Sequence, residues 1–275
     1  MHRDDPAHSE AWNITRAADY KKLKDVDRQR VSQKIADGGT SLGETVAAGG
    51  LGFISNVNGL PLPGNVGVNM LGSLLLGTDA SKSRGSSIVA WIPKSEVSSN
   101  KEALEQVAER VFGLIETNLR DMDLPAPYSW GEIKQWELNS TGYKNRMSAT
   151  LAGGSCDSED FYCVISLTGW PTGNAWRQDA IAPGSLGGYP AWRIQISLSY
   201  YFHDKNKLNR TELARLPLLR TLDAVSSDLP ANYFIYIAPQ MLPFKQAENE
   251  YRFFPAPMVL REGEALFFVE PEQGA

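Results

Sequence analysis

Hydrophobic and polar positions divide the chain into three stretches with different periodicities. In residues 1–37, eight Lys/Arg and seven Asp/Glu surround a thin apolar stripe. Leu23 and Val26 share one helical face with Arg30 and Lys34, and Val31 and Ile35 lie beside it. This spacing predicts a mostly exposed helix over Ala17–Ile35, stopped by Asp37-Gly38-Gly39, with the first dozen residues loose.

Residues 38–85 follow another pattern. Eleven of the 24 glycines fall between positions 38 and 77, and no charge occurs from Thr45 to Thr78. Two short apolar arms flank Gly59-Leu60-Pro61-Leu62-Pro63-Gly64, which suggests a hairpin. Small residues let backbones approach closely, so this Gly-rich segment is a candidate for membrane insertion or assembly. Each arm is too short to cross about 30 Å of hydrocarbon, and Asn56, Asn58, Asn65 and Asn69 would be costly there. The favoured expectation is a segment folded onto the main domain.

Residues 86–275 read as one α+β domain. Ser87–Ile92 is a continuous apolar run stopped by Pro93, as expected of a buried strand. Ser99 and Glu102 form a capping-box signature, and Leu104, Val107, Ala108, Val111, Ile115 and Leu119 make the inner face of a helix reaching Arg120. Glu116 and Arg120 are spaced to pair on its outer face. From Tyr128 to Phe202 the texture is that of strands. Phe161–Leu167 is apolar, Trp192–Leu198 alternates, and Gly169–Pro190 reads as a long loop. A second helix over Thr211–Ser226 carries Leu218, Leu219, Leu222 and Val225 inward, with Pro217 forcing a kink or a late start. Tyr233–Ile237 predicts a strand, and Met258–Leu260 with Ala265–Val269 a hairpin turning at Glu262-Gly263. The predicted fold is α+β: a mixed or mainly antiparallel sheet with two helices packed on one side, plus a Gly-rich N-terminal helical segment.

Composition narrows the functions open to such a chain. A net charge of −5 argues against general nucleic-acid binding. Three histidines and two cysteines exclude a Cys-rich zinc module, and no metal or cofactor is expected. Cys156 and Cys163 bracket a short acidic loop and are expected to form a disulfide, with two free buried thiols as the other reading. A disulfide would point to an oxidising compartment.

Catalytic signatures are weak. There is no Gly-x-Ser-x-Gly elbow, the Ser98-x-x-Lys101 match falls at a helix cap, and neighbours His203 and Asp204 would point to opposite faces of a strand. Gly184-Ser185-Leu186-Gly187-Gly188 lacks the strand and helix that a cofactor turn requires. These features predict a protein that is not an enzyme, with an unrecognised hydrolase as a minor reading. The residue types that anchor interfaces collect instead around the long loop, where Trp170, Trp176, Arg177, Tyr189 and Trp192 are the candidate partner-binding residues.

Two segments carry a family resemblance. They are Ser87–Glu96, from Ser87-Ile88-Val89-Ala90-Trp91-Ile92-Pro93 onward, and Leu229–Pro239, closed by Pro257–Leu260 and Leu266–Val269. Together they resemble uncharacterised Gram-negative periplasmic lipoproteins, some of which act as immunity proteins against type VI secreted phospholipases. The resemblance implies a periplasmic location and a lipase-type toxin as the protein partner. The lipobox cysteine of such proteins has no counterpart here, so a lipidated leader would lie upstream; Met1–Asp5 taken literally opens a cytoplasmic chain with no signal peptide. The expected function is therefore a non-enzymatic periplasmic binding protein that neutralises a secreted phospholipase. The alternative is a membrane-associated envelope component that uses the Gly-rich segment.

Overall fold

Burial of the Ser87–Ile92 run organises the molecule around one strand. The computed structural model describes residues 4–20, 23–36, 56–57, 60–61, 86–121, 129–138, 144–152, 163–169, 179–202, 218–238, 244–245, 251–252 and 257–272. In chain order the elements are α1 (Glu10–Ala17), α2 (Arg28–Ala36), β1 (Asn56–Val57), β2 (Leu60–Pro61), β3 (Ser87–Pro93), α3 (Asn100–Arg120), β4 (Ser129–Leu138), β5 (Lys144–Ala152) and β6 (Cys163–Gly169). They continue with β7 (Asp179–Ile181), β8 (Pro190–Phe202), α4 (Leu218–Asp228), β9 (Tyr233–Ile237), β10 (Phe244–Lys245), β11 (Tyr251–Arg252), β12 (Met258–Arg261) and β13 (Glu264–Phe267).

Nine strands form one sheet in the order β13-β12-β9-β3-β8-β6-β5-β4, with β7 pairing alongside β8. Every ladder in it is antiparallel. The α+β class and its antiparallel sheet thus stand as expected. The 13-residue β8 is the hub, holding β3 along one edge and both β6 and β7 along the other. Of the Gly-rich segment the structure describes only the β1–β2 pair, with Asn56 opposite Pro61 and Val57 opposite Leu60. The rest of that expectation lies outside the described residues.

Cross-strand partners share a face, so the registers sort the core into two layers. One face carries Ile88, Ala90, Ile92, Ile194, Ile196 and Ile235, all buried. Against it pack α3 and α4, which also contact each other. The inner-face residues predicted for α3 are all buried. Ser99 Oγ accepts from the Glu102 N–H, and the Glu102 carboxylate accepts in turn from the N–H and hydroxyl of Ser98. These bonds hold the Glu102 carboxyl below its usual range. α4 carries Leu222 and Val225 inward, and the stretch from Thr211 to Pro217 of that predicted helix lies outside the described residues.

The opposite face carries Val89, Trp91, Gln195, Phe234 and Tyr236, and here the structure corrects the N-terminal expectation. Of the helix predicted over Ala17–Ile35 only the second half is helical, as α2; residues 18–20 and 23–27 are not. A helix (α1) stands earlier at Glu10–Ala17, and residues 4–12, within the stretch expected to be loose, are held in place. α1 ends in a Schellman turn, Asp19 N–H to Arg16 O and Tyr20 N–H to Thr15 O, with Asp19 at φ 69°. Beyond it Tyr20, Leu23 and Val26 are buried with Ala11 and Ile14 in the common core. The Tyr20 ring lies 4.7 Å from that of Tyr236 at a tilt of 55°, and the Tyr20 hydroxyl joins Ser87 Oγ and Gln195 Nε2 in a buried polar network.

The physical reason lies at Asp25. Its carboxylate accepts from Ser9 N–H at 2.8 Å and from Ser9 Oγ, with His8 Nδ1 at 3.0 Å. One straight helix from residue 17 would carry Asp25 about 12 Å away from its start and could not return it to residue 9.

Candidate functional site

Four chain segments converge at one end of the sheet: the end of β3, the start of β8, the start of β9 and the end of β12. Between them and α3 opens a cleft of about 550 Å³, lined among others by Glu96, Gln106, Arg110, Tyr189, Tyr233 and Arg261. Its size falls within the range of small-molecule sites.

The floor is fixed by bonds to the Trp91 backbone. Asn232 Nδ2 and the Tyr189 hydroxyl both donate to the Trp91 carbonyl, at 2.8 and 3.2 Å, and Trp91 N–H donates to Asn232 O at 3.0 Å. The N-terminal segment buttresses the rim from the far face. Asp4 Oδ2 accepts from Ser185 N–H at 2.6 Å, and Arg261 Nη1 donates to Glu10 Oε1 at 2.6 Å. Arg261 is also bonded to Ala231 O and pairs with Glu262, so its charge is already spent.

The two phenols of the lining are neutral rather than basic. Tyr233 is 3% exposed, and its phenol is pushed up to about 12, chiefly by burial and secondarily by two opposed charges, Arg110 lowering it and Glu96 raising it. Tyr189 is raised too, first by burial and then by the Glu96 carboxylate, with an opposing hydrogen bond from Asn232. Both hydroxyls keep their protons at neutral pH; that of Tyr189 is given to the Trp91 carbonyl, which leaves its oxygen as an acceptor.

Of the candidate partner-binding residues, the structure brings Tyr189 and Trp192 to this end of the sheet. Trp192 is half-buried beside the cleft, with Lys94 Nζ at 4.6 Å over its ring and Asp179 directly opposite on β7. Lys94 also forms an ion pair with Asp179. Trp170, Trp176 and Arg177 lie outside the described residues, as do His203 and Cys156; Cys163 opens β6. The stretch read as one long loop over Gly169–Pro190 instead carries the strand β7 and, at Gly184–Leu186, a single 3-10 turn, because Asp179–Ile181 pairs with the start of β8. Among the described residues no three His, Cys, Asp or Glu side chains gather as a metal site, and no helix is long and apolar enough to cross a membrane.

Sequence reasoning passes over Glu96, Arg110 and Tyr233. Arg110 sits on the polar flank of α3 and looks like an ordinary solvated charge. Only its adjacency to the inward Val107 and Val111 places it near the sheet end. The chain matches no known protein family, and no curated protein or solved structure is similar to it.

Proposed function

We propose that the chain is a binding protein that engages a protein partner through this end of the sheet, and that the partner is a secreted phospholipase. The phospholipase follows from the resemblance of Ser87–Glu96 and Leu229–Pro239 to periplasmic immunity lipoproteins, and with it a periplasmic location. The observation that carries the binding role is the grouping of Trp192, Lys94 and Tyr189 at the cleft. An aromatic side chain with a cation stacked on it, beside a polar recess and on rigid strands, is the composition of an interface anchor. A Cys156–Cys163 disulfide would suit the same compartment.

The test is titration of a purified secreted phospholipase of the host with the full chain. Stoichiometric inhibition is expected. Lys94→Ala combined with Trp192→Leu should weaken binding by about 2 kcal/mol, roughly thirtyfold. Undiminished phospholipase activity at excess of the wild-type chain, with no complex on gel filtration, removes this reading.

A further inference from the structure

The cleft holds two opposite charges that its own architecture leaves uncommitted. Arg110, on α3, has no ion-pair partner among the described residues, and neither has Glu96, in the turn after β3. Arg261, the other cation of the lining, is bound to Glu10, Glu262 and the Ala231 carbonyl. Arg110 and Glu96 both act on the Tyr233 phenol with opposite sign, so each is within electrostatic reach of the same hydroxyl. They nevertheless do not form a salt bridge with each other. Glu96 also acts on Tyr189, and Glu96, Tyr189 and Tyr233 line the same cleft.

A simple anion seated on Arg110 would face Glu96, and a simple cation on Glu96 would face Arg110. A ligand carrying both signs answers both. We propose that the cleft binds a zwitterion of dipeptide size, its carboxylate on the Arg110 guanidinium and its ammonium on the Glu96 carboxylate. The Tyr233 hydroxyl and the Gln106 amide supply neutral hydrogen bonds between them. Arg110 offers a planar fork of donors that matches a carboxylate in two parallel bonds. Glu96 beside Tyr189 gives an ammonium both a counter-charge and an aromatic neighbour. The recess of about 550 Å³ leaves room for two residues and their side chains. The inference rests on the cleft alone and stands or falls separately from the protein-partner reading.

The experiment is calorimetric titration of the full chain with four probes: L-Ala-L-Ala, its N-acetyl derivative, its C-terminal amide, and phosphocholine. The free dipeptide should bind tightest. Blocking either terminus should weaken binding at least about tenfold, the loss of one charge-assisted contact. In Arg110→Met the free dipeptide and its amide should become equivalent, because the carboxylate has lost its partner. In Glu96→Gln the free dipeptide and its N-acetyl form should become equivalent for the same reason at the other end. Both side chains are exposed, and circular dichroism of the variants confirms that they fold.

The proposal is overturned if none of the probes binds the wild-type chain. Equal affinities for all four probes overturn it as well. Phosphocholine binding more tightly than the dipeptide would overturn the carboxylate assignment in favour of a phosphate ligand.

Discussion

At the scale of single residues, the most constrained position is the hairpin tip between β12 and β13. Glu262 and Gly263 both have positive φ, 51° and 77°, which is the geometry of a two-residue type I′ turn. A Cβ added at Gly263 would lie 2.5 Å from Ser227 Oγ, at the C-terminal end of α4, where the Gly263 N–H donates to Ser226 Oγ. Gly263→Ala should therefore cost about 1–3 kcal/mol in urea unfolding, from backbone strain and the shift forced on Ser227. Adding Ser227→Gly should recover part of that loss.

Two titrations belong to the same scale. Asp223 on α4 has one buried carboxylate oxygen with no hydrogen-bond partner, and burial raises its pKa. An acid whose folded pKa is raised holds its proton longer in the folded state, so stability falls as pH rises from the unfolded value of 3.8 through the folded one. Asp223→Asn should raise the melting temperature at pH 7 and leave it nearly unchanged at pH 3, which thermal melts at the two pH values measure. Tyr233 obeys the same sign at the other end of the scale. Between its ordinary value of 10.0 and its folded value of about 12, the unfolded chain loses the proton and the folded one keeps it. Alkaline unfolding curves of Tyr233→Phe should fall less steeply across that window than those of the wild-type chain.

At the scale of elements, α3 stands largely on its own sequence. Removing the cap with Ser99→Ala should cost about 1 kcal/mol, read from the midpoint of chemical denaturation. This helix was legible because its apolar positions repeat at helical spacing from Ala103 to Leu119, over about four turns, and its cap residues sit where that repeat begins. β3, β8, β9 and the β12–β13 hairpin were legible for a related reason, since runs or alternation of apolar residues are bounded by Pro or by Glu-Gly. β4 and β5 were not resolved as separate strands. In Ser129–Leu138 and Lys144–Ala152 polar residues and glycine outnumber apolar ones, and the ladders with their neighbours mark them as strands. The N-terminal helix was misplaced because its end depends on Asp19 adopting positive φ and on Asp25 reaching back to Ser9, neither of which leaves a local pattern. The cleft was half legible. Tyr189 and Trp192 stand out as aromatic residues near a loop, whereas Arg110, Glu96 and Tyr233 meet only through the order of strands.

At the scale of the whole molecule, the N-terminal segment is a layer of the fold. Asp25 shows how firmly it is fastened: its side chain is only 2% exposed, and it satisfies two donors of Ser9. Asp25→Ala should strand those donors and cost about 2–3 kcal/mol, with hydrogen exchange rising first in residues 10–26. Loss confined to that segment would show it as a separable layer, whereas uniform loss would make it part of the global unit. The cleft shares this dependence, because Asp4 and Glu10 hold its rim at Ser185 and Arg261.

Val26 extends the sheet beyond β13 by a parallel bridge to Val269, its N–H bonded to Phe268 O at 2.8 Å and its carbonyl accepting from Glu270 at 3.0 Å. On the ribosome this seam joins a segment to one made more than 240 residues after it. Every strand to which residues 10–26 fasten, β3 excepted, emerges more than 150 residues later. Through most of synthesis, Ile14, Tyr20 and Leu23 therefore have no completed surface to cover, and they compete for whatever apolar surface is at hand. A nascent chain arrested before β9 would present that segment to chaperones, while release of the last hairpin would withdraw it.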